Sequence, residues 1–143
     1  MGQPEKEWNK TNTAYNSTME ENCFRFQDMQ IWQRAAAFSP ELFQLADQLE
    51  KQRLFRFAEQ LRGAVLSITN NIAEGSGSTS RVDFANFLNT ARRSTFEVAN
   101  ILFLLSNDQY IDQRSAAEII PKLAEESRMI LAFMRNLKSL HSD

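Results

Sequence analysis

The chain has 143 residues, the size of one domain, and its net charge of −2 with a pI near 5.5 excludes the strongly basic character of a dedicated nucleic-acid-binding protein. Its residues are 43% hydrophobic and 24% charged, with only four glycines and three prolines. The single cysteine, Cys23, excludes an internal disulfide, and no apolar run is long enough to cross a membrane. The composition therefore predicts one cytoplasmic domain of long helices.

Residues 1–23 are polar and lack hydrophobic periodicity, which predicts a flexible N-terminal tail ahead of a folded domain over 24–141. The tail has no apolar core of a signal peptide. Trp8 and Tyr15 are its aromatic residues and are candidates to anchor it. Asn9 and Asn16 match glycosylation sequons, which a chain that is not secreted does not use.

The first periodic segment covers about 26–49 and predicts an amphipathic helix. Pro40 lies inside it. Two structures are consistent with this proline: a kinked helix, or a second helix capped by Ser39 with Pro40 at its first position. The core candidates are Phe26, Met29, Ile31 or Trp32, Ala35, Phe38, Leu42, Leu45 and Leu49.

The second segment, 52–74, also has apolar residues at intervals of three and four. Gly75 is predicted to end this helix because glycine accepts a positive φ, and the sequence GSGSTS is predicted to be a flexible connector. The core candidates are Leu54, Phe57, Leu61, Ala64, Val65, Ile68 and Ile72.

The third helix is predicted to begin at Ser80, with Asp83 in the capping position three residues later, and to end near Asn107. Its core stripe is Phe84, Phe87, Leu88, Ala91, Thr95, Val98, Leu102 and Leu105.

The fourth helix is predicted to run from Ser115, paired with Glu118 in a capping box, to about Leu140, with Pro121 bending its first turns. Four amphipathic helices with short connectors predict an all-α, antiparallel up-down-up-down four-helix bundle. The core candidates of the fourth helix are Ile119, Leu123, Ile130, Met134 and Leu137.

The sequence offers no convincing catalytic, cofactor or metal site. The only histidine, His141, and Cys23 lie near the two ends of the chain without a base or orienting group. There is no Glu-x-x-His pair for a di-iron centre, and the glycine-rich connector lacks the lysine of a phosphate-binding loop. We therefore expect no enzyme activity, no metal and no cofactor.

A line of polar residues lies beside the core stripe of the second helix: Gln60, Ser67, Asn71 and Glu74. Glu74 is close to the negative end of the helix dipole, which disfavours a carboxylate there. Two interpretations of this polar line are open. The line is a solvated flank, or it is a polar seam against another helix or subunit that fixes the register of packing.

The third helix has a second apolar stripe, formed by Ala85, Phe96, Ala99 and Phe103 and flanked by Arg81 and Arg92. A helix in a monomeric bundle needs one such stripe, so the second indicates a surface covered by a partner. The middle third of the chain is also its only positive part, which makes six arginines candidates for contact with nucleic acid: Arg53, Arg56, Arg62, Arg81, Arg92 and Arg93.

Three stretches carry a family resemblance: FQDMQIWQRA, EQLRGAVLSITNNIAEGSG and FANFLNTARRSTFEVANIL. Their order and the run Q-L-R-x-A-x-x-S-I-x-x-N-I-A-E-G resemble the bacterial 23S ribosomal RNA intervening-sequence proteins, over about 24–140. Two positions depart from the family pattern: Gly63 replaces a second basic residue, and Arg93 replaces a glycine. The motif positions are Gln60, Arg62, Ser67, Asn71, Glu74, Gly75, Ser94 and Glu97.

The resemblance implies a ring-like homopentamer of four-helix bundles without known enzyme activity. A related branch, the accessory variability protein of diversity-generating retroelements, associates with a reverse transcriptase and with nucleic acid, so RNA, DNA or such an enzyme is an expected partner. Three hypotheses follow: a homo-oligomeric scaffold that contacts RNA or a nucleoprotein, a protein-only structural oligomer, and an enzyme with Glu74 and Glu97 as its carboxylate pair.

Overall fold

The structure, a computed structural model, describes residues 22–139, which form four long helices and no strand. A short 3-10 turn, Arg25–Asp28, precedes the first helix. Each helix packs against the next along the chain, and the first also contacts the last. The predicted all-α class with four helices is therefore confirmed. The helices are α1 (Gln30–Lys51), α2 (Phe55–Ser76), α3 (Arg81–Asn107) and α4 (Gln113–Ser139).

The core consists of the apolar stripes that the three-and-four spacing predicts. Phe87, also predicted for the core, is only half-buried. One prediction was wrong: Phe57 is exposed, and Ala58 is buried in its place. Both lie at helical spacing from Leu61, so periodicity alone does not choose between them. The fully buried side chains with the largest volumes include Leu42, Leu49, Leu61, Ile68, Ile72, Leu88, Leu102, Leu123 and Ile130.

Pro40 lies inside one continuous helix, α1. The alternative of a new helix capped by Ser39 was wrong, because Ser39 is itself helical and its hydroxyl donates back to the Ala35 carbonyl at 2.6 Å. The side chain of Ser39 thereby stays within the helix instead of capping a new one.

Gly75 does not end α2, which is a correction to the sequence prediction. The helix continues to Ser76, and no described glycine has a positive φ. The turn after the helix is made by backbone bonds instead, from Gly77 N–H to the Glu74 carbonyl and from Ser78 N–H to the Gly75 carbonyl. Gly75 therefore serves another purpose, which concerns packing.

The two predicted N-caps have different outcomes. Ser80 caps α3 as expected, since its hydroxyl accepts from Asp83 N–H at 3.3 Å. Ser115 was the wrong residue for α4, because the helix begins two residues earlier, at Gln113. Asp112 caps it instead: its carboxylate accepts from Arg114 N–H at 3.2 Å and from the Ser115 hydroxyl at 3.3 Å.

Two helices end in a Schellman motif without glycine. After α1, Leu54 N–H bonds to the Leu49 carbonyl and Arg53 takes φ 65°. After α3, Tyr110 N–H bonds to the Leu105 carbonyl, and the residue before it, Gln109, has φ 63°. Arg53, a candidate nucleic-acid contact, thus also occupies a left-handed position that glycine would occupy with less strain.

Candidate functional site

The polar line of α2 meets α3 at its centre. Asn71 Nδ2 donates to the Ser67 carbonyl at 2.7 Å and to Ser67 Oγ at 3.0 Å. Ser67 Oγ lies 2.7 Å from Ser94 Oγ on α3, and Ser94 Oγ lies 3.1 Å from the Thr90 carbonyl. Ser94 is buried, so this chain of side chains is a satisfied polar contact between the two helices.

The same two helices also approach each other closely at Gly75. A Cβ atom at this position would lie 2.8 Å from Phe87 Cβ and 2.9 Å from Phe84 Cδ2, which is well inside van der Waals contact. Glycine is therefore required by the close approach of α3. Together with Ser67 and Ser94, it fixes how α2 and α3 pack.

Three predicted motif residues line one open groove beside this contact. The groove has a volume of about 350 Å³, and Gln60, Ser67 and Glu97 all border it. Arg56 and Glu59 border it too, so two carboxylate residues and one arginine line the groove. The sequence predicted Gln60 and Ser67 on one face of α2, and the structure adds Glu97 from α3.

The carboxylate pair suggested for an enzyme is not assembled in this groove. Glu97 borders the groove, but Glu74 does not, and it lies seven residues beyond Ser67, about 10 Å further along α2. Glu74 is exposed at the end of the helix. Among residues 22–139, no group of three histidine, cysteine, aspartate or glutamate side chains is arranged to hold a metal ion.

Arg62 is engaged within the bundle. Its Nη2 atom lies 2.7 Å from Asp47 Oδ1 and 2.7 Å from Glu50 Oε2, both on α1. The hydrogen bonds that this guanidinium donates, first to Asp47 and then to Glu50, raise the pKa of Arg62. This guanidinium joins α1 to α2, and a phosphate would have to compete with two carboxylates for it.

The other candidate arginines do not form one patch. Arg53 and Arg56 lie at the start of α2 and Arg81 lies beyond its end, at opposite ends of a 22-residue helix about 33 Å long. Arg93 is exposed midway along α3. The positive charge that the sequence places on the middle helices is therefore spread along their length.

The second apolar stripe of α3 is largely uncovered in the single chain. The side chains of Phe96 and Phe103 are 56% and 53% exposed, and Ala99 between them is half-buried. The Arg92 guanidinium lies 5.1 Å from the centre of the Phe96 ring in a cation–π contact. Ala85, predicted on this stripe, is buried in the bundle instead.

Glu126 on α4 is a buried carboxylate that was not predicted from the sequence. Both of its oxygens are buried and have no hydrogen-bond partner among the described residues. Arg34 Nε lies 3.7 Å away, while the Nη2 atom of Arg34 pairs with Glu125 at 2.9 Å. Burial raises the pKa of Glu126 to about 8, because desolvation outweighs the opposing charge of Arg34.

Some of the remaining predicted positions lie within the described residues and others do not. Cys23 is exposed at the start of the described range. His141, Leu140, Trp8, Tyr15 and both sequons lie outside the described residues. No helix within residues 22–139 has the length and hydrophobicity needed to span a membrane.

Comparisons with known proteins identify a family and a similar solved structure. The family described as 23S rRNA-intervening sequence protein matches residues 27–132. A crystal structure of a protein of unknown function from the S23 ribosomal protein family of Bacteroides thetaiotaomicron is similar, with a TM-score of 0.69 and 26% sequence identity. The similarity covers 73% of this chain and 97% of that one. No curated protein matches the chain.

Proposed function

Because the chain belongs to the 23S rRNA-intervening sequence protein family, we propose that it is a non-enzymatic scaffold that self-assembles through the outer face of α3. The observation that carries this proposal is the exposure of Phe96 and Phe103, which lie seven residues apart on the same face of that helix. Two large aromatic rings facing water along one stripe are typical of a protein interface. Five subunits is the number that the family resemblance implies.

The subunit of this scaffold is an antiparallel up-down-up-down bundle. Ser67 on α2 contacts Ser94 on α3. Further along α2, Gly75 approaches Phe84, which comes before Ser94 on α3, and this supports opposite directions for the two helices. Connectors of three to five residues between consecutive helices also favour antiparallel neighbours.

The apolar face extends beyond the two residues that the sequence identified. Phe57 lies three residues before Gln60 on α2, on the same side of the helix, and is 44% exposed. Leu104 follows Phe103 and is 54% exposed. These side chains give the proposed interface a broader apolar area than one helical stripe.

The experiment that tests assembly is the molar mass in solution of the wild type and of the Phe96→Asp, Phe103→Asp double variant. Losing the burial of two phenylalanines costs about 4 kcal/mol per interface, which raises the dissociation constant roughly a thousandfold. The double variant should be monomeric at micromolar concentration while retaining its helical circular dichroism. Phe55→Asp is the matched control, because Phe55 is equally exposed but lies on the side of α2 opposite to Phe57. A double variant with the wild-type mass contradicts the proposed interface.

Contact with RNA or with a nucleoprotein, such as a reverse transcriptase complex, is the second candidate function. Its support is the set of exposed arginines Arg53, Arg56 and Arg93 on a scaffold of this family. Against it stand the net charge of −2 and the acidic residues Glu59 and Glu97 beside Arg56. We therefore rank the protein-only scaffold first.

Salt-dependent RNA binding separates the two functions. If phosphate contacts form, affinity falls steeply between 50 and 200 mM salt by roughly tenfold or more, and Arg56→Glu with Arg93→Glu reduces both affinity and the salt slope. Arg62→Gln is the control and should change the affinity and the salt slope little, since the Arg62 guanidinium is held by Asp47 and Glu50. Binding that is weak and independent of these arginines would leave the protein-only scaffold as the function.

A further inference from the structure

An apolar groove of about 400 Å³ lies between α1 and α2, away from the contact of α2 with α3. Its walls include the rings of Phe26, Trp32 and Phe43, together with Leu66, which is 48% exposed. This face is not part of the proposed interface on α3. An uncovered apolar groove is favourable for an apolar side chain that can enter it.

Pro40 leaves one backbone carbonyl beside the groove without its usual helical donor. Ala36 and Pro40 both line it, and Pro40 has no N–H to donate to the Ala36 carbonyl one turn earlier. The nearby Ser39 hydroxyl does not replace that donor, since it bonds to the Ala35 carbonyl. A ligand with a large apolar ring and one N–H donor would satisfy both the walls and this carbonyl.

The start of the described chain lies beside the groove. Phe24 is 63% exposed, and its ring stacks on Phe26 with 5.6 Å between ring centres. Phe26 in turn lies 5.0 Å from the Trp32 ring, inside the groove wall. The described part of the chain therefore begins next to this groove.

We propose that Trp8 of the same chain docks in the α1–α2 groove. Tryptophan combines the largest apolar ring with a single N–H donor, which fits the apolar walls and the Ala36 carbonyl. Residues 9–22 would form a tether of 14 residues, for which a flexible chain has a root-mean-square length of about 20 Å. The groove extends about 16 Å along α1 between Trp32 and Phe43, so tether and groove match in length.

Tethering favours this occupant over a second copy of the chain. An attached segment whose length matches the distance it must span has an effective concentration on the order of millimolar. A second molecule at micromolar concentration is far more dilute than this tethered segment, so it fills the same groove less readily. The docking of Trp8 would cover the apolar surface around Leu66 in every subunit, whether or not subunits assemble.

The test uses the fluorescence of Trp8 in the full-length chain. The chain has two tryptophans, so Trp32→Phe leaves Trp8 as the only one and keeps an aromatic ring in the groove wall. Docked Trp8 should emit at shorter wavelength than in the urea-unfolded chain, and acrylamide should quench it at least twofold less. The difference in fluorescence between the wild type and Trp8→Phe also reports the quenching of Trp8, here with Trp32 in place.

The matched groove variant is Leu66→Asp, which places a charge in the wall, and its control is Phe55→Asp, on the same helix outside the groove. Leu66→Asp should raise the quenching of Trp8 to the unfolded value, and Phe55→Asp should leave it low. Unfolded-like quenching of Trp8 in the parent protein overturns the proposal. Protection that survives Leu66→Asp, or that appears only as concentration rises, also overturns it, because Trp8 would then be covered elsewhere or by a second molecule.

Discussion

Replacing glycine by alanine at two positions of α2 should change the free energy of unfolding in opposite directions. Gly63 and Gly75 both lie inside the helix, where replacing glycine by alanine normally stabilises by about 1 kcal/mol through helix propensity. At Gly63 a Cβ atom would meet nothing within 4 Å. Gly63→Ala should therefore raise the free energy of unfolding by about 1 kcal/mol.

Gly75→Ala should have the opposite sign. The new methyl carbon would lie 2.8 Å from Phe87 Cβ and 2.9 Å from Phe84 Cδ2. Phe87 Cβ is bonded to the backbone of α3 and cannot swing away, so the two helices must separate. Overpacking of this kind costs about 1 to 3 kcal/mol, which cancels the propensity gain and leaves a net loss of about 1 kcal/mol.

Thermal unfolding followed by circular dichroism measures both variants at one protein concentration, since assembly would shift the transition. A domain of this size changes its Tm by about 4 °C per kcal/mol, so the two variants should differ by about 8 °C. The assay needs no assumption about function. If Gly75→Ala is stabilised as much as Gly63→Ala, the close approach of α2 and α3 at Gly75 is refuted.

Three further predictions concern single contacts. Glu126 has a pKa of about 8 in the folded chain and therefore keeps a proton that the unfolded chain releases above about pH 4.3, so the free energy of unfolding should fall as pH rises from about 4 to 8. In urea titrations, Glu126→Gln should be more stable than the wild type by about 3 kcal/mol at pH 7 and equal to it near pH 4. Ser67→Ala and Ser94→Ala should each destabilise by about 1 kcal/mol, and a double-mutant cycle that shows additive losses would contradict the bond between them. Arg53→Gly should raise Tm by a few degrees, as it relieves a positive φ, whereas Arg56→Gly inside α2 should lower it by a similar amount; equal effects would contradict the Schellman motif.

The helices and most of the core could be predicted from the sequence because apolar spacing of three and four records which face of each helix is buried. Leu42, Leu88 and Ile130 are core residues in both the sequence pattern and the structure. Phe57 escaped this reasoning because Ala58 also lies at helical spacing from Leu61.

The roles of single polar residues and glycines were less accessible. Gly75 was predicted to provide a left-handed turn, but glycine also permits close packing, and the sequence does not distinguish these two uses. Arg53 shows the reverse case: it occupies a left-handed position, whereas the sequence indicated only a role for its charge. Both depend on neighbours that are distant in the chain or on a local backbone conformation.

The candidate site was predicted in part. The polar line on α2 was identified, and the structure shows that it divides: Ser67 and Asn71 bond toward α3, while Gln60 and Glu74 are exposed. The partner hydroxyl on Ser94 required the register of two helices. Glu126 was missed, although the stripe of α4 has a gap between Leu123 and Ile130 that some residue had to fill.

The molar mass of the wild-type chain in solution tests the central claim most directly. Sedimentation equilibrium over nanomolar to micromolar concentrations should give a discrete multiple of the 16.5 kDa subunit, with five as the number implied by the family. A mass of one subunit throughout that range would contradict assembly through α3 and would leave Phe96 and Phe103 as the docking surface for a different protein.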